Sequence, residues 1–141
     1  MLRPINFLVV KAVLLFIFAI VFAFAAADGS PSDKPSDETI RSQIPGAWTS
    51  QETLDGQPTR LAVNYRPDGT FGASARMSKG RYSIKLILTG TWRVHNGILI
   101  SHTEATGAPP RDAAYEVVAV NESMLVLRDR DGSIVVRRRA K

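Results

Sequence analysis

The chain contains no cysteine. It therefore has no disulfide, no thiolate nucleophile and no cysteine to carry a lipid behind an export signal, so packing alone must hold the fold. Histidine is scarce too, with two in the whole chain, His95 and His102. The sequence also lacks G-x-S-x-G, the P-loop and G-x-G-x-x-G, the patterns that would announce a nucleophile elbow or a phosphate cradle. Beyond residue 45 no long helical periodicity occurs. These absences argue against an enzyme and against a helical or nucleotide-binding fold.

The first feature present is AVLLFIFAIVFAFAAA, Ala12–Ala27, an unbroken apolar run preceded by Arg3 and Lys11. Positive residues, an apolar centre and Ala25-Ala26-Ala27 before Asp28 form the pattern of a cleaved secretory signal. An uncleaved anchor is the rival reading, because Phe7 to Ala27 could cross a bilayer of roughly 30 Å. Either way the remainder is expected to be exported: periplasmic, at the cell surface or secreted, or tethered to the membrane by residues 7–27. Removing Arg3 and Lys11 from the 18 Lys and Arg leaves 16 against 13 Asp and Glu, so the net charge falls from +5 to +3. Export and this modest charge exclude nucleic acid as an expected partner.

DGSPSDKPS, residues 28–36, is rich in Ser, Pro and Asp and reads as a flexible linker. Ser36 is placed to cap a short helix over 37–43, with Asp37 and Glu38 favourable in its first turn and Pro45-Gly46 closing it. From Gly46 the hydrophobic period becomes two, as in Leu61, Val63 and Tyr65, or Ile84, Leu86 and Leu88. Eight strands are expected, at 46–52, 59–66, 70–77, 82–94, 98–103, 114–120, 124–128 and 133–138. Without intervening helices, sequential strands pair antiparallel as a meander, so residues 37–141 form one all-β domain.

Three connections end in glycine: Pro67-Asp68-Gly69, His95-Asn96-Gly97 and Arg130-Asp131-Gly132. Each suits a three-residue hairpin loop with Gly in the left-handed region. That register sets Tyr65 opposite Phe71, and places Trp92 and Val94 on one face with Ile98 and Ile100. A two-residue Asn-Gly turn would move Ile98 and Ile100 to the other face, since a slip of one residue carries every side chain across the sheet. The longer loop is the expectation. It sets His102 beside Gly90 and leaves His95 in the turn, more than about 10 Å away. The two histidines then cannot share a metal ion, and no metal site or cofactor is expected. Asp129 and Asp131 lack the further ligands of a calcium loop, and Asn121-Glu122-Ser123 is too short a pattern to mean more than chance. RRRAK, residues 137–141, reads as a basic strand edge.

The motif G-x-W occurs twice, as Gly46-Ala47-Trp48 and Gly90-Thr91-Trp92. A G-x-W opening the first strand after a short helical turn resembles the lipocalins and the wider calycin group. The series GAW, YRPDGTF, GTWRV-NG-ILI, YEVVAV and LRDRDG is similar to small bacterial lipocalin-like domains found behind signal peptides, across Ile44 to Arg139. The resemblance implies an eight-stranded up-and-down barrel, closed at one end where Trp48 packs against an arginine of the last strand. Arg137 is the first choice for that arginine and Arg138 the second. The chain is shorter than full lipocalins and lacks their second signature motif, which leaves the size of any cavity open.

Eight tilted strands close with room for side chains or for one small ligand. The expected function is non-catalytic binding of a small apolar or amphipathic molecule in the barrel mouth, with Tyr65, Phe71, Met77, Leu86, Trp92, Ile100, His102 and Tyr115 as ligand-binding residues. The alternative is a filled barrel that binds a protein or envelope component on its surface, with membrane contact through the N-terminal segment and the basic C-terminus. A monomer is expected.

Overall fold

The computed structural model describes residues 34–54 and 56–141. The expected signal or anchor (1–27) and most of the expected linker (28–36) lie outside the described residues. A short helix α1 (Asp37–Gln43) is followed by eight strands: β1 (Gly46–Leu54), β2 (Gln57–Tyr65), β3 (Thr70–Lys79), β4 (Tyr82–His95), β5 (Ile98–Ala105), β6 (Ala108–Val120), β7 (Met124–Arg128) and β8 (Ile134–Arg139). Each pairs antiparallel with its sequence neighbour, and β1 meets β8, which closes an up-and-down barrel.

Helix α1 begins where the sequence places it. Ser36 is extended and accepts a hydrogen bond from the Thr39 amide, satisfying one of the first-turn donors. Ile40 and Ile44 are fully buried in one cluster with Trp48, Val63, Val94, Leu99, Val117, Leu125 and Leu127. The helix thus plugs one end of the barrel, and the packed floor lies above it.

Two of the three glycine turns are three-residue loops as expected. Arg66 and Asp129 bond through their amides to the carbonyls of Thr70 and Ser133, which sets Tyr65 opposite Phe71 and Leu125 opposite Arg137. The third turn corrects the expectation. His95 pairs with Ile98, so the loop is the two residues Asn96 and Gly97, with φ of 52° and 75°, the backbone of a type I′ turn. Leu99, Ser101 and Thr103 therefore face inward, whereas Ile98, Ile100 and His102 face outward, and His102 lies opposite Thr91 rather than beside Gly90. The cause is a contact distant in sequence. The Asp37 carboxylate accepts the Gly97 and Asn96 amides at 2.7 and 2.9 Å, and the Gly97 carbonyl accepts from the Val117 amide.

The closure of the base is a second correction. The arginine lying on Trp48 is Arg139, whose guanidinium carbon is 3.9 Å from the indole centroid. It donates to the carbonyls of Gln43, Pro45 and Glu122 as well. Arg138 is exposed on the outer face, and Arg137, the expected partner of Trp48, points into the barrel and is 4% exposed. Strand alternation explains this outcome: residues 137 and 139 share a parity, and Arg139 sits directly opposite Trp48 in the ladder. Of the basic C-terminal run, Arg138 and Lys141 are left in solvent.

Candidate functional site

The barrel is not filled from end to end. Above the packed floor lies a chamber of about 410 Å³. Its walls come from inward positions of β2 to β6, chiefly Leu61, Val63, Phe71, Met77, Leu86 and Leu88. Alanines at 73, 75, 105, 108 and 113 leave the space that larger side chains would occupy. The volume falls within the range of small-molecule sites, which are mostly apolar with a few convergent polar groups.

Those polar groups meet at the inner end. Arg137 donates from Nε to Glu52 Oε1 at 3.1 Å, its Nη2 is also 3.1 Å from that oxygen, and Nη1 donates to the Tyr65 hydroxyl. Ser50 adds a hydroxyl hydrogen bond to Glu52 Oε1 at 2.6 Å. The Tyr115 ring lies 5.7 Å from the Arg137 guanidinium carbon. The side chains of Glu52 and Arg137 are each 5% exposed. A charge this deep is held only when paired and hydrogen-bonded, and here both conditions are met. Burial alone would pull the Arg137 pKa down, but the interactions with Tyr65 and Glu52 more than offset it and the net shift is upward. Burial pushes the Tyr65 hydroxyl above the usual phenol range, against the opposing pull of Arg137, and burial raises Tyr115 as well. Both tyrosines are therefore neutral at ordinary pH, and the cluster as a whole carries no net charge.

The Glu52 and Arg137 pair also fills a gap in backbone bonding. β1 and β8 pair only at Trp48 with Arg139 and Thr49 with Arg138. Above those residues the wall is joined by side chains, and a recess of about 850 Å³ opens there between the end of β1 and the β7–β8 turn. Its lining mixes outward Gln51, Arg60 and Arg76 with inward Glu52 and Tyr115, so it is a notch in the wall adjoining the chamber. On the opposite side the β3–β4 hairpin rises past the rim. β4 has no β5 partner below Leu88 in number, and Tyr82, Ile84 and Leu86 carry the chamber's inward face out into solvent, Tyr82 being 79% exposed.

Of the residues expected to bind a ligand, Tyr65, Phe71, Met77, Leu86 and Tyr115 line the chamber. Trp92 does not; it is buried beneath, edge-on to Tyr65, with its indole N–H directed at the carbonyls of Arg66 and Thr70. Ile100 and His102 lie on the outer face because of the two-residue turn. There His102 Nδ1 is 2.6 Å from Asp112, and its Nε2 is 3.8 Å from Glu104. Glu52 is not among the residues expected to bind, and Arg137 points into the chamber instead of closing the base. Both were within reach: Trp48, Ser50 and Glu52 share one parity of β1, and a buried arginine demands a carboxylate.

Comparisons with protein-family models, with curated proteins and with solved structures return no match to this chain.

Proposed function

We propose that this protein is an exported, non-catalytic, monomeric binding protein of lipocalin-like type that holds one small apolar or amphipathic molecule in its barrel. The observation that carries the reading is the 410 Å³ chamber, with largely apolar walls and a buried polar cluster at its inner end. A barrel of this width normally packs its own side chains to crystal-like density, and the run of inward alanines prevents that here. The lipocalin-like assignment draws support from the up-and-down order of eight strands, the helix at the closed end, and the stacking of Trp48 under a last-strand arginine. A second reading, a surface module for a protein or envelope component, draws on the exposed ribbon of Tyr82, Ile84 and Leu86. It stands second because that ribbon continues the chamber lining rather than forming a separate patch.

The test is native mass spectrometry of the protein purified from cells, together with titration of 1-N-phenylnaphthylamine, whose fluorescence rises in apolar surroundings. Binding at one site per chain, lost on Ala73→Phe while the fold is retained, is the expected result. An intact barrel that carries no co-purified molecule and leaves the probe dark in water overturns the reading.

A further inference from the structure

The polar cluster says more than that the ligand is amphipathic. We propose that the chamber selects a molecule whose polar head is uncharged, such as an alcohol, carbonyl or amide, over the same molecule ending in a carboxylate. The inference rests on the ligand-binding reading above and deepens it.

A buried arginine in an apolar chamber suggests an anion hook, but the charge of Arg137 is already balanced by Glu52, and three of its five N–H donors are committed. Nε and Nη2 both face Glu52, and Nη1 faces Tyr65. A ligand carboxylate at this end would meet a guanidinium whose charge is balanced and would lie beside the Glu52 carboxylate. Two anions and one cation would then share a site whose own charged side chains are each 5% exposed, and like charges in such a place disfavour ionisation of one of them. An uncharged head meets the opposite situation. Glu52 takes its bonds from Ser50 and Arg137 on Oε1, which leaves Oε2 as an acceptor. Tyr65 accepts from Arg137 and keeps its own hydroxyl hydrogen to donate. A hydroxyl or amide, which donates and accepts together, can complete both, whereas a carboxylate accepts only. Arg111, also inward, is four residues up β6 from Tyr115 and so about 13 Å nearer the mouth.

The test uses the full chain and two probes of equal length, 1-decanol and decanoate, competing with 1-N-phenylnaphthylamine at pH 8. Decanol is expected to bind at least about tenfold tighter, a difference of about 1.4 kcal/mol. Glu52→Gln removes the neutralising charge, so the ratio of decanol to decanoate affinity should shrink or invert. A further measurement on the unsubstituted protein does not depend on how that variant folds. Decanoate affinity should rise as pH falls through the acid's own midpoint, because the protonated acid is the uncharged form. Decanol, which has no ionisable group, is run over the same range as the control for the chamber's own Glu52, Tyr65, Tyr115, Arg111 and Arg137. Decanoate binding as tightly as decanol, a preference untouched by Glu52→Gln, or a decanoate profile parallel to that of decanol overturns this inference and leaves the ligand-binding reading standing. If no probe binds at all, the ligand-binding reading falls and this inference falls with it.

Discussion

The buried pair at the inner end of the chamber makes a quantitative prediction about stability. Arg137→Met removes the guanidinium but keeps most of its volume. Glu52 would retain the Ser50 hydroxyl as its partner and lose both nitrogens at 3.1 Å, in a position where its side chain is 5% exposed. Stranding one member of a buried ion pair typically costs about 3 to 5 kcal/mol. That is a large share of the roughly 5 to 15 kcal/mol that stabilises a domain, so the variant should fold but marginally. Replacing both partners together, as Glu52→Leu with Arg137→Met, removes the uncompensated charge and should return stability to within about 1 kcal/mol of the parent or above it. The coupling energy from this cycle is then at least about 3 kcal/mol. Urea denaturation followed by the fluorescence of the buried Trp48 and Trp92 measures it directly. With a slope of about 2 kcal/mol per molar urea, a loss of 4 kcal/mol moves the midpoint by about 2 M. If Arg137→Met shifts stability by under about 1 kcal/mol, or the double variant is as unstable as the two singles summed, the pair is solvated and the account of the chamber's polar end is wrong.

Other substitutions test the frame. Arg139→Ala should lower stability by about 2 to 4 kcal/mol, since it removes a stacked cation and three charged hydrogen bonds to carbonyls, whereas Arg138→Ala on the outer face should stay within about 0.5 kcal/mol; paired thermal melts decide between them. Gly90→Ala should cost about 1 to 3 kcal/mol, because a Cβ there would collide with the His102 carbonyl oxygen and the Phe71 ring, while Gly72→Ala, whose Cβ meets only the end of Arg66, should be close to neutral in the same melts. The pKa of Asp37 is lowered, first by the Gly97 amide bond. A depressed carboxyl contributes stability above its ordinary value of 3.8 and loses it as pH falls through the lowered folded value. The stability gap between the parent and Asp37→Asn should therefore be constant near neutrality and close below pH 3.8; urea midpoints measured down to pH 2.5 that keep a fixed gap would refute the clamp on the β4–β5 turn.

Much of this architecture is legible from the chain because it depends on near neighbours. Alternation of apolar and polar residues needs only the two-residue repeat of a strand, so eight strands and their antiparallel order follow from it. Ser36 caps its helix, and Asp68 accepts from the Thr70 amide two residues on, through bonds that local sequence already contains. The inward parity of Tyr65, Phe71, Met77 and Tyr115 has the same origin.

The features that differ from the sequence expectation depend on partners distant in the chain. His95-Asn96-Gly97 is compatible with either of two turns, and the choice is made by Asp37, about sixty positions away, whose carboxylate holds the two turn amides. That one choice turned Ile100 and His102 outward and brought Leu99 and Ser101 in. Arg137 and Arg139 are likewise equivalent by parity, and only barrel closure, by pairing Trp48 with Arg139, assigns one to the indole and sends the other to Glu52. Periodicity sorts residues onto faces, but the height at which the first strand meets the last is a property of the closed sheet, and here it decides which cation shuts the base and which one lies at the inner end of the chamber.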